Sequence, residues 1–392
     1  MENKQTTNTD NDYIDVAKNA DYQNQSPIYY REFLNWRSTG NNQYAYSFVR
    51  HKKEHTYIDG KGFVSKTPAD VEKKVLKRCC SLLAMSLIAF LIVSIGEIIF
   101  ISNYMGKLTF SLSRALYSEP LNLNDVPFRI SGIICLFRIA KYLLPILIFK
   151  LDSGLPKEVM LPKSAERHQE LSMCAIVFCM LMLVICRFAN RGFAEIADLL
   201  GIGVYQFEFL YSSDKLSMLI FAFVECIVTA ILIEVFFRGL VLQTFRQFGD
   251  MFAFIVCCIA NAFSTLDATS IGYTVFISII ITMFTLRTGS IATAIIMRIS
   301  INILNFVFSL MALYISSDYA KIAEYAVCII IIAASLIIYS RMTNGQSFSF
   351  NINNSKTQLT ISKKFIVLLS SSPFTLWIIL IMFFCFFTIR IV

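Results

Sequence analysis

Apolar stretches long enough, or nearly long enough, to cross a bilayer recur along this chain at roughly 79–101, 130–149, 171–189, 217–240, 252–268, 271–286, 290–314, 324–340 and 365–389. In hydrocarbon a helix satisfies all its backbone hydrogen bonds within one segment, so the pattern predicts an all-α, polytopic transmembrane bundle of about eight to nine spans. Hydrophobic residues make up 56% of the 392 and charged residues 16%, a balance that would leave apolar surface bare in a water-soluble fold. The pair around 252–286 is the shortest and the weakest as spans.

Two regions follow from the same composition. Residues 1–77 are expected to form a polar, partly disordered cytoplasmic N-terminal region, and 78–392 a multi-pass membrane domain. The polar opening Met1-Glu2-Asn3-Lys4-Gln5 does not have the form of a cleavable signal, so the first membrane helix is expected to act as its own. Up to about residue 26, Asn, Asp and Gln dominate, too polar to offset the entropy of ordering. From Tyr29 to Val64 aromatics such as Phe33, Trp36, Tyr44 and Tyr46 return among Arg50, Lys52 and Lys53. Composition favours a loosely structured tail there; the sharper alternative is a partner-docking or membrane-surface segment.

Basic residues gather in alternate loops: Lys73, Lys74, Lys77 and Arg78; Lys150, Lys157, Lys163 and Arg167; Arg246; Arg287; then Arg341, Lys356, Lys363 and Lys364. By the positive-inside rule the N-terminus lies in the cytoplasm, and with nine spans the C-terminus lies outside. The same placement explains the formal charge of +8 without nucleic acid, which is not expected as a partner. The expected surroundings are the lipid bilayer, in a bacterial plasma membrane, with a membrane protein or peptide as the further partner.

Neither a metal nor another cofactor is expected. All eleven cysteines lie within or beside apolar stretches and form no C-x-x-C pair, so they are expected as buried thiols. His51, His55 and His168 are the chain's three histidines, all in polar segments.

Charges inside apolar helices are costly and mark places where function is built. Five stand out: Glu225, Glu234, Arg238, Asp267 and Arg298. Glu234 and Arg238 are four apart, acid first, the favourable order for an ion pair on one helix face. The bland reading is that Arg238 merely marks the end of its span. Arg298, Asn302, Asn305 and Ser309, however, repeat at four, three and four residues and so form one polar stripe that needs a polar neighbour. Asp267, with Asn261 and Thr265 in the same helix, is the candidate.

Depths agree with that meeting: Glu234 lies about 21 Å from the inner end of its helix, Asp267 about 24 Å in, and Arg298 about 12 Å, with a long side chain to reach further. Glu234 and Asp267 against Arg238 and Arg298 sum to zero charge, the arrangement a low-dielectric interior tolerates best. Glu225, nine residues before Glu234, points to about the opposite face and is read either as a satisfied interior carboxyl, protonated or paired with Arg138 or Lys141, or as a functional group of its own. Glu97 receives only the structural reading.

The run Ile233-Glu234-Val235-Phe236-Phe237-Arg238-Gly239 resembles the E-E-x-x-F-R-G signature of the CPBP family, which holds the intramembrane CAAX prenyl endoproteases and bacteriocin-processing or immunity proteins. The resemblance continues in order: Phe263 opens the second motif, F-x-x-x-H, whose histidine position holds Asp267; Arg298 stands at the histidine of the third, H-x-x-x-N, and Asn302 at its asparagine. It covers about residues 215–312 and implies a CPBP-like core with Glu234, Arg238, Asp267, Arg298 and Asn302 at the site positions. In that family the first glutamate and first histidine activate water, and the second histidine with the asparagine stabilises the oxyanion.

The departures bear on chemistry. Ile233 accepts no proton, Asp267 is a weaker base than histidine, and Arg298 stays protonated and cannot shuttle. The first reading is therefore a catalytically inactive member acting as a membrane scaffold, regulator or peptide immunity factor. The second is an active endopeptidase using Glu234 or Asp267 as base on CAAX-type or membrane-tethered peptides. The third is a transporter or channel, against which stand Glu225 and Glu234 on opposite faces and the lack of a paired repeat.

Overall fold

The computed structural model describes residues 25–39, 42–46, 55–58, 62–65, 67–104, 128–164, 169–199, 202–204, 214–266, 268–314, 317–343, 357–387 and 389–391. The disorder expected before residue 26 falls almost wholly outside them. The all-α polytopic bundle holds. Its long helices are α2 (Pro68–Tyr104), α3 (Phe128–Ser153), α5 (Gln169–Leu199), α6 (Lys215–Phe248), α8 (Ala268–Thr288), α9 (Ile291–Tyr314) and α10 (Ser317–Thr343). Shorter ones are α1 (Pro27–Ser38), α4 (Lys157–Met160), α7 (Asp250–Phe263), α11 (Ile361–Leu369) and α12 (Ser372–Phe387).

Seven of the described helices are long and apolar enough to span, and α11 with α12, bent by 74° at their junction, form either a broken eighth span or a re-entrant loop. The weak stretch at 252–268 becomes α7, fourteen residues and therefore about 21 Å long, short of the ~30 Å a bilayer core requires. Gly249 at φ 110° breaks the chain between α6 and α7, and Gly289 at φ 64° does so between α8 and α9. Leu266, at φ 60°, turns α7 into α8; a branched side chain in this region carries backbone strain.

Two short antiparallel ribbons complete the fold, β1 (His55–Ile58) with β2 (Gly62–Ser65) and β3 (Ile202–Val204) with β4 (Ile389–Ile391). The second fixes the ends of the bundle. The start of α5 lies beside Lys163 and Ser164, which bond Ser26 and Gln25, whereas β3 follows the far end of that 31-residue helix. The C-terminal strand β4 thus pairs with the segment that follows the far end of α5.

The tail reading of 29–64 is corrected for its first part. Ser26 caps α1 by accepting from the Tyr29 N–H, Pro27 starts it, and Tyr29, Phe33 and Trp36 repeat at four and three residues, giving one aromatic face. That face is buried in the main core with Leu76, Leu83, Phe245 and Phe248. Composition gave the wrong weight because Arg31 and Glu32 stay off the aromatic face, although Arg37 is buried with it; periodicity carried the signal. A second core joins α5, α8 and α9 through Cys179, Ile281 and Met297. Ten of the cysteines are buried and none of the eleven is in a disulfide.

Candidate functional site

The site is built on α6. Within that helix, Val224–Val228 and Val235–Val241 are wound as π-helix, the second containing Phe237, Arg238 and Gly239. Such bulges re-aim the side chains around them and recur at functional sites. Side chains supply extra donors to their carbonyls: Thr229 Oγ1 at 2.6 Å and Asn302 Nδ2 at 3.0 Å donate to Glu225 O, and Gln243 Nε2 donates to Arg238 O at 3.0 Å. Gly239 is glycine for a steric reason. A Cβ there would stand 2.6 Å from the backbone oxygen of Met160 in α4 and 3.3 Å from Ile291 Cδ1.

Glu234 is the hub, with 0% exposure, like Arg238. Arg298 Nε donates to Glu234 Oε1 at 2.9 Å and Arg238 Nη1 to the same oxygen at 3.2 Å. Oε2 lies 3.2 Å from Arg238 Nε, within ion-pair range but out of line for a hydrogen bond. Arg238 spends its remaining donors on α8: Nη2 reaches Ser278 Oγ at 2.8 Å and Ser278 O at 3.2 Å, and Nε reaches Thr282 Oγ1 at 3.3 Å. With its amide oxygen turned to the arginines, Asn261 of α7 accepts from Arg298 Nη2 at 3.2 Å and Arg238 Nη1 at 3.1 Å. Four helices meet at one carboxylate.

Three of the five expected site residues therefore converge: Glu234, Arg238 and Arg298. Asn302 does not join them; one turn further along α9 its amide is taken by the Glu225 carbonyl, because the π-helical stretch brings that backbone within reach. Asp267 lies outside the described residues. The rest of the stripe fans outward, Asn305 Nδ2 donating to Tyr273 OH at 3.1 Å and Ser309 to its own helix. Sequence reasoning missed Ser278 and Thr282, although Thr274, Ser278, Thr282 and Thr285 make a small-polar stripe at four, four and three residues, all buried.

A second ion cluster stands apart, as the opposite-face argument requires. Arg138 donates to Glu97 Oε1 at 2.9 Å and to Glu225 Oε2 at 2.6 Å, and Lys141 reaches Glu97 Oε2 at 3.3 Å. Of the two partners weighed for Glu225, it is Arg138 that pairs. Glu97, read blandly, is a full member of a neutral two-acid, two-base network. At the α1 end of the bundle Arg246 forms a bidentate pair with Asp250, at 2.8 and 3.2 Å, and donates to Tyr29 OH at 3.2 Å. Tyr29 OH in turn donates to Gln243 Oε1 at 2.6 Å. Burial pushes the Tyr29 phenol above its ordinary range, so it keeps this proton at any working pH.

Among the described residues no group of three or more His, Cys, Asp or Glu could hold a metal. Fold and site together define a polytopic membrane protein with a buried, hydrogen-bonded ion cluster at the E-x-x-F-R-G motif. Residues 215–304 match the family model described as Type II CAAX prenyl endopeptidase Rce1-like, so over this stretch the chain is similar to that family. No curated protein and no solved structure matches the chain.

Proposed function

We propose that this chain is a CPBP-like membrane protein in which water activation has given way to a closed ion cluster, and that it works without hydrolysis, as a scaffold, regulator or peptide immunity factor toward a membrane peptide or protein. One observation carries the reading: the carboxylate of Glu234 is engaged by Arg298, the residue standing where the family resemblance expects a histidine. A guanidinium remains protonated at working pH, so it occupies the Glu234 carboxylate as a donor and cannot relay a proton itself. The basic loops beside α1, with Lys150, Lys157, Lys163 and Arg246, support a cytoplasmic position for that end.

Incubating the purified protein with prenylated and membrane-tethered peptides, beside Glu234→Gln, tests it. The expected result is no cleavage by either form. Cleavage by the wild type that stops in Glu234→Gln would replace this reading with the endopeptidase one, Glu234 Oε2 then being the oxygen left for a water.

A further inference from the structure

We propose that residues 25–39 and 42–46 form a strap that closes the α1 end of the core and clamps the π-helical stretch of the E-x-x-F-R-G motif through Gln243. The inference does not depend on whether the site hydrolyses anything.

The strap reaches the motif by two routes. In the first, Tyr29 OH donates to Gln243 Oε1 at 2.6 Å while Gln243 Nε2 donates to Arg238 O at 3.0 Å, so one glutamine side chain joins α1 to the backbone of the arginine that holds Glu234. In the second, Ser26 N donates to Lys163 O at 3.2 Å and Gln25 bridges Ser164, three to four residues beyond Met160, whose carbonyl presses on Gly239. Both routes end inside Val235–Val241. A π-helical stretch has poorer hydrogen bonding than α-helix, so its shape depends on such outside contacts.

The dock itself is directional as well as apolar. Trp36 Nε1 donates to Ser153 O at 2.9 Å, and Asn42 Nδ2 reaches the same oxygen at 3.2 Å. Tyr46 N donates to Gln247 Oε1 at 2.6 Å, and Gln247 Nε2 returns to Tyr44 O at 2.9 Å. Four of the residues that α6 and the start of α7 offer here, Gln243, Arg246, Gln247 and Asp250, are polar and can be hydrated when the strap lifts. The surface is therefore one from which a helix can detach without stranding apolar area alone, the character of an interface that opens and closes. Cys79 reports on it directly, being fully buried with its thiol 3.4 Å from Tyr44 O.

The test uses the full chain in lipid nanodiscs, with hydrogen exchange and alkylation of Cys79 read by peptide mass spectrometry. Trp36→Ala removes the anchor farthest from the motif. Exchange over 27–46 and alkylation of Cys79 should rise at least about a hundredfold, and exchange over 235–243 should rise with them. Tyr29→Phe deletes one oxygen and keeps the ring; it should raise exchange over 235–243 about tenfold. If Trp36→Ala does not yield folded protein, Tyr29→Phe decides on the same readouts. A strap that loosens while 235–243 stays protected would overturn the clamp, and so would variants that leave every readout at the wild-type level.

Discussion

Neutralising Glu234 is the sharpest perturbation the site permits. The described part of the cluster holds one carboxylate against two guanidiniums, and Glu234 and Arg238 have no contact with water. Glu234→Gln keeps the shape and one acceptor but removes the charge. Arg238 retains Ser278 O, Ser278 Oγ and Thr282 Oγ1, whereas Arg298 is left with Asn261. Breaking a buried pair by removing one partner costs about 3–5 kcal/mol, because the surviving charge is uncompensated. For a cooperative unit of some hundreds of residues this corresponds to a fall in melting temperature on the order of 10 °C. Thermal unfolding in detergent, followed by tryptophan fluorescence, measures it. Glu234→Gln with Arg298→Met should regain most of the loss, since the stranded charge goes too. A double variant whose loss equals the sum of the single losses would refute the pairing.

Gly239→Ala should cost about 1–3 kcal/mol, since the added methyl meets a backbone oxygen rather than a side chain that can swing away; a thermal shift reads it. Arg138→Met strands Glu225 and leaves Glu97 with Lys141, so it should destabilise by about 3–5 kcal/mol, and Glu225→Gln in the same background should recover part of this. Asn302→Leu is expected to be mild, about 1 kcal/mol, because Thr229 still donates to Glu225 O; a loss as large as that of Glu234→Gln would show that Asn302 belongs to the charged site after all.

Helix existence and the location of the site are legible in the chain because both rest on local patterns. Apolar length marks the spans, and four-residue spacing places Glu234 on the face of Arg238 and lines up Arg298 with Asn302. What spacing at a fixed 100° per residue does not contain is the π-helical winding of 224–228 and 235–241. That winding takes Asn302 to a backbone carbonyl instead of the cluster. The docking of α1 was readable in part: its aromatic face has the period of a buried helix, but nothing local says that Gln243 and Gln247, more than two hundred residues later, will receive it. The small hydroxyl stripe of α8 was equally visible, and passes unnoticed because serine and threonine are ordinary in membrane helices.

A buried ion cluster is poor evidence for stability, since apolar residues of equal volume often serve as well or better. In lipid it can serve another end. Apolar side chains gain little by choosing one helix neighbour over another when the tails around them are equally apolar, so hydrogen bonds and close packing must fix the register. Here α6, α7, α8 and α9 each place a polar group at the same point: Glu234 and Arg238, Asn261, Ser278 and Thr282, and Arg298. Sliding any of these helices by one residue breaks several of these bonds at once. Glu234→Met, Arg238→Met and Arg298→Met combined should therefore melt within a few degrees of the wild type, yet show broadened amide resonances along α7, α8 and α9 in nanodiscs. Sharp wild-type-like spectra from that triple variant would mean that packing alone sets the register, and the cluster would then have to be explained by what it binds.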